Sequence, residues 1–114
     1  MENYDLIVIG TGSAMNYINS IIDSKPEIKI AVIDKDEPGG ICLTKGCIPS
    51  KILLYPAELI RELGTASLFG IKAEIKDIDF IAIMERVRRI TRENIEAVRQ
   101  GLTLWGLNLK KPTL

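Results

Sequence analysis

The chain has 114 residues, 46% of them hydrophobic and 26% charged, the balance of one folded domain with a modest core. Lys+Arg and Asp+Glu are equal at 15 each, so no dominant basic field points to nucleic acid or to a polybasic membrane anchor. There is no His, which removes imidazole metal ligation and His-dependent nucleophilic catalysis from this chain.

No apolar run reaches the roughly 20 residues of a membrane span. The opening Met1-Glu2-Asn3-Tyr4 carries no basic n-region, so no secretory leader is visible and a cytoplasmic location is expected. In that setting the two cysteines read as redox or metal ligands before structural staples, and two thiols alone cannot close a zinc site.

Tyr4–Ile9 is short, apolar and β-branched, the pattern of a strand buried on both faces. It runs into Gly10-Thr11-Gly12-Ser13-Ala14. Met15, Ile18 and Ile22 then keep helical spacing up to Pro26. Ile28–Ile33 reads as a second buried strand and ends at Asp34. Strand, glycine-rich turn, helix and strand make a βαβ unit with parallel strands. Pro38-Gly39-Gly40 marks a loop. Pro49 can open a helix continuing to about Gly64, in which Pro56 predicts a kink or a split. Ser67–Lys76 has no clear period. Asp79 is an N-cap candidate for a long helix with the stripe Phe80, Ile83, Met84, Val87, Ile90, Ile95 and Val98, with Gly101 as its end. Leu107-Asn108-Leu109 begins to alternate like a strand.

The turn suits a pyrophosphate. Gly10 allows a tight bend, Gly12 has no Cβ to keep phosphate away, and a helix start presents free N–H groups. Asp34 stands where a carboxylate can take ribose hydroxyls. Met15 occupies the place of the third fingerprint glycine. The alternative is a tight βα turn that holds nothing.

Cys42 and Cys47 are five positions apart. On an ideal helix that offset separates the Cα atoms by about 8–9 Å, whereas a disulfide needs roughly 4.4–6.8 Å. A bond between them requires a distorted backbone, which Gly46 would permit. A bond closing so short a loop stabilises little and is reducible, which favours redox work. Lys51, one helical turn after Cys47, favours a thiolate. The alternative is a pair of reduced, buried cysteines acting as small hydrophobes.

Tyr4 through Gly12, Asp34-Lys35, and Gly39-Gly40-Ile41-Cys42 through Gly46-Cys47-Ile48-Pro49-Ser50-Lys51 together resemble the N-terminal part of the flavin-dependent pyridine nucleotide–disulfide oxidoreductases. The resemblance covers roughly residues 4–109 and lies nearest the dihydrolipoamide dehydrogenases, with the mercuric reductases as the alternative. It implies an α/β fold: a partial Rossmann-like FAD-binding domain, built from the βαβ unit, a redox-disulfide helix and a long helix. By the same resemblance, Gly10, Gly12 and Ser13 line the FAD pyrophosphate, Asp34 holds the adenosine ribose, and Lys35, Gly40 and Ile41 edge the cofactor. Ile41 stands where the family usually has Thr. Cys47 is the thiol beside the flavin, Cys42 is the interchange thiol, and Lys51 sits near the reactive edge of the ring. The implied reaction passes electrons between a dithiol and NAD through FAD and a Cys42–Cys47 disulfide.

Family members add an NAD(P) domain and a dimerisation domain carrying a His–Glu pair. Residues 1–114 therefore read as the N-terminal portion of an FAD-binding domain. The expectation is weak FAD retention, self-association or pairing with the rest of an enzyme, and no turnover by this chain alone. A nucleotide-binding module or a remnant without turnover are the other readings.

Two features stand apart. Arg86, Arg88, Arg89 and Arg92 crowd the long helix, with Glu85, Glu93 and Glu96 at i,i+4 spacing, and read as a solvated ion-paired face or an anion patch. Trp105 with Leu102, Leu104 and Leu107 reads as packing or as an apolar docking surface.

Overall fold

A computed structural model describes residues 1–112. It is a mixed helix and strand structure around a small parallel sheet, a partial Rossmann-like α/β fold. Strand β1 (Leu6–Ile9) leads through a 3-10 turn (Ser13–Tyr17) into α1 (Ile18–Ser24) and then β2 (Ile30–Ile33). Helices α2 (Gly40–Thr44) and α3 (Cys47–Thr65) follow, then a 3-10 turn (Ala66–Phe69), the long α4 (Phe80–Leu104) and β3 (Asn108–Lys110). The sheet order is β1-β2-β3 with both pairings parallel; Leu6 stands beside Ile30, and Ala31 beside Asn108. Both strands of the βαβ unit are thus present, and the alternating tail adds a third.

The central strand is the buried one. Ile30, Ala31 and Val32 are all inside, with Val32 at 0% exposure. Val8, Ile18, Leu102 and Leu107 close the core on one face, flanked by Leu6, Met15, Ile21 and Val98. The first strand is not buried on both faces as its composition predicts. Ile9 is 82% exposed and Ile7 is also open, because described residues cover only the face carrying Leu6 and Val8. An apolar run reports the wish for cover, not the cover itself.

Two helix starts and one expected break differ from expectation. The segment after the glycine turn starts as a 3-10 turn and becomes α-helical only at Ile18. Helix α3 begins at Cys47, so Pro49 lies in its first turn, where a missing N–H costs nothing. Pro56 neither splits nor ends the helix, which runs unbroken to Thr65; a single lost i→i−4 bond is tolerated within 19 residues.

Asp79 caps α4, its Oδ1 accepting from the Ala82 amide at 2.9 Å. Gly101 does not end α4. The chain leaves the helix at Gly106, which takes φ +68°. There the Leu107 amide donates to the Leu102 carbonyl at 2.9 Å and the Gly106 amide to the Thr103 carbonyl at 3.0 Å. Leu102 and Leu107, both buried, supply the apolar contact that accompanies this left-handed cap. That cap turns the chain back into β3. Trp105 and Leu104 stay outside, so the expected four-residue apolar packing group divides in two.

Candidate functional site

The glycine turn connects β1 to the helical segment at the C-terminal end of the parallel strands, the place where open α/β sheets bind ligands. Gly10 has φ +91°, a conformation few residues other than glycine adopt, and its amide donates to the Ile33 carbonyl at 2.7 Å. The Gly39–Gly40 corner packs on this turn. Gly40 has φ +72°, and a Cβ there would meet the Gly12 Cα at 2.6 Å. A Cβ on Gly12 would meet only ordinary contact, 3.7 Å from the Gly40 Cα. Gly40 is thus required by the fold, while Gly12 leaves room on its outer side.

Beside this corner lies an open cleft of about 980 Å³. Gly12, Ser13, Gly40, Ile41 and Cys42 all line it. Of the other candidates, Asp34 sits behind the turn. Its Oδ2 accepts from the Thr11 amide at 2.8 Å and from the Thr11 hydroxyl at 2.5 Å, and its Oδ1 accepts from the Asp36 amide at 3.1 Å. Burial pushes its pKa up, but the Thr11 hydroxyl and the amides of Asp36, Thr11 and Lys35 outweigh that, so the carboxyl titrates below its ordinary range. Lys35 is exposed and outside the cleft lining.

Cys42 lies on α2, and Cys47 is the first residue of α3. Lys45 and Gly46 break the helix between them, which is the backbone distortion their spacing requires. Gly46 provides it by close approach, not by a left-handed φ: a Cβ there would lie 3.0 Å from the Ile41 carbonyl oxygen and 3.4 Å from the Cys42 Cα. Both cysteines are free thiols and both are exposed, so they are not buried hydrophobes. They are close enough to interact. A hydrogen bond with the Cys47 thiol raises the Cys42 pKa, with burial and the Cys47 charge adding to it; the Lys51 ammonium pulls the other way. The fold therefore brings Cys42, Cys47 and Lys51 near one another, but of the three only Cys42 lines the cleft; Cys47 and Lys51 lie outside its lining.

The arrangement also contains residues that sequence reasoning passed over. Thr11 is buried at 4% exposure under the turn. Asn16 and Asn19 line the cleft from the first helical segment. Their i,i+3 spacing just after a glycine turn was the available signal. Ala97 and Gly101 of α4 and Trp105 just after it also line the cleft at i,i+4 steps; in sequence Gly101 reads only as a helix end and Trp105 only as packing or a docking surface.

Comparison with known proteins gives the same direction. No family model matches the chain. The dihydrolipoyl dehydrogenase of Chlamydia trachomatis is 39% identical over 101 residues, covering 89% of this chain and 21% of that protein. The mycothione reductase of Mycobacterium tuberculosis is 41% identical over 88 residues, covering 76% of this chain and 18% of that protein. By sequence, the chain belongs with the pyridine nucleotide–disulfide oxidoreductases. A second dihydrolipoyl dehydrogenase, from Thermus scotoductus, is 45% identical over 74 residues, 65% of this chain and 16% of that one. The chain thus spans about a fifth of the length of the curated oxidoreductases it matches. No helix among the described residues is long and apolar enough to cross a membrane.

Proposed function

We propose that this chain supplies the FAD-binding turn and the redox dithiol of a flavin-dependent disulfide reductase, working between a dihydrolipoyl-type dithiol and NAD. The observation that carries this is the shared cleft: the glycine turn and Cys42 line one space of about 980 Å³, the upper end of the range for cofactor sites. The residues present fit an adenine dinucleotide. The Gly12–Gly40 contact leaves backbone and no side chain at the turn, and Ser13 offers a hydroxyl beside it. Gly10, Gly12 and Ser13 would face the pyrophosphate, with Asp34 and Lys35 toward the adenosine and Gly40, Ile41, Cys47 and Lys51 along the flavin side.

Bound FAD would supply a two-electron acceptor. The chain's own chemistry is the dithiol couple. Closing the Cys42–Cys47 bond releases two electrons and two protons, and opening it takes them back. The Lys51 ammonium favours the thiolate that attacks or leaves in such an exchange.

The test is equilibrium binding of FAD, followed by quenching of flavin fluorescence, to the wild type and to Gly12→Ala. Space exists for the added methyl on the protein side, so Gly12→Ala keeps its circular dichroism spectrum and loses FAD affinity by about tenfold or more. Wild-type protein that takes up no FAD, or a variant that binds it unchanged, refutes the assignment.

A further inference from the structure

We propose that Thr11 is a positioning residue whose single hydroxyl locks the glycine turn to the corner that starts the cysteine helix, so that Asp34 acts on the cleft through Thr11. The role rests on the FAD-binding reading only for its effect on affinity.

A hydroxyl offers one proton and two lone pairs. At Thr11 the proton goes to the Asp34 Oδ2 at 2.5 Å, and a lone pair accepts from the Gly39 amide at 2.9 Å. The Thr11 amide donates to that same Oδ2 at 2.8 Å. One buried side chain thus joins the turn after β1 to two points 23 and 28 residues further along the chain: the end of β2, and the Gly39–Gly40 corner from which α2 carries Cys42 into the cleft. The corner needs such a hold. Gly39 has φ +120° and Gly40 φ +72°, and no side chain on either residue can anchor them. The Gly12–Gly40 backbone contact that shapes the cleft mouth exists only while the corner stays against the turn. A valine at position 11 keeps the shape and branching of threonine but leaves the Gly39 N–H without an acceptor. A serine keeps both bonds.

The experiment compares the whole chain with Thr11→Val, Thr11→Ser, Asp34→Ala and the Thr11→Val/Asp34→Ala double variant. Two readouts are taken: hydrogen exchange of the Gly39 amide without nucleotide, and the Kd for FAD. Thr11→Val is expected to speed Gly39 exchange by about tenfold or more and to weaken FAD by about tenfold. Thr11→Ser should restore both to within about threefold of wild type. The double variant should exchange Gly39 no faster than Thr11→Val alone, because both changes break one linkage. A Gly39 amide that stays protected in Thr11→Val, a serine variant as impaired as valine, or additive increases in Gly39 exchange in the double variant would overturn the role. If Thr11→Val fails to fold, Asp34→Ala, which leaves no acceptor for Thr11, decides: faster Gly39 exchange supports the linkage, and unchanged exchange removes it. Should wild-type protein bind no FAD, the cofactor reading falls, while Gly39 exchange and its rescue by serine still judge Thr11.

Discussion

Cys47 holds the Cys42 thiol in check. Cys42 has its pKa raised by Cys47 and lowered by Lys51, and the net direction is upward. Only the thiolate reacts with an alkylating agent, so a raised pKa means slow reaction at a given pH. Cys47→Ala removes the largest upward cause and leaves the Lys51 charge. The pH profile of Cys42 alkylation by iodoacetamide should therefore move to lower pH in Cys47→Ala, with a faster rate at pH about 8. Lys51→Ala should move it to higher pH. A Cys42 profile indifferent to Cys47 would show that the thiols do not interact. On the same scale, Gly40→Ala differs from Gly12→Ala. Its Cβ would overlap the Gly12 Cα at 2.6 Å with a strained φ, so the corner must shift before any ligand is considered.

At the scale of elements, glycines in helices separate into those the fold uses and those it does not. Gly64 in α3 is exposed, and a Cβ there would meet nothing within 4 Å. Gly64→Ala should stabilise the chain by about 0.5–1 kcal/mol through helix propensity alone, read as a rise in thermal midpoint. No change, or a fall, would mean that the long hairpin formed by α3 packing against α4 needs flexibility at that position. How well each element could be read from sequence follows the same division between local and distant causes. The βαβ unit, the Asp79 cap and the glycine turn were legible, because periodicity and cap chemistry act over a few neighbouring residues. The end of α4 was not: Gly101 and Gly106 are equally good stops by composition, and the choice rests on the Leu102–Leu107 contact with the core. The exposed face of β1 depends on what packs against it, which no local pattern contains. Within the site, Gly10 and the Cys42–Cys47 break were legible from backbone needs. Thr11 was not, since its partners Asp34 and Gly39 are distant in sequence. The arginine-rich stretch of α4 gave one of its three expected i,i+4 pairs, Arg89 with Glu93 at 3.0 Å. Arg99 instead ties α4 to Glu37 on the loop before Gly39.

On the scale of the whole molecule, much apolar surface lies uncovered. Ile7 and Ile9 on the sheet, and Leu68, Phe69, Phe80 and Ile81 around the segment joining α3 to α4, all stand open. Such surface favours association. The chain also has no His and no second glycine fingerprint for a nicotinamide nucleotide. With FAD added, it should bind cofactor weakly and give no dihydrolipoamide-dependent NADH in a steady-state assay. Steady NADH production by this chain alone would refute that expectation.

The long hairpin has a consequence for how that association is measured. The molecule spans 68 × 33 × 18 Å with a radius of gyration of 20.4 Å, where a compact domain of this length has about 13 Å. Frictional drag follows shape as well as mass, so one copy will migrate through a gel-filtration column like a considerably heavier globule and sediment slowly. An early elution peak is therefore what a lone molecule produces, and only light scattering or sedimentation equilibrium, which weigh the particle, can count its copies.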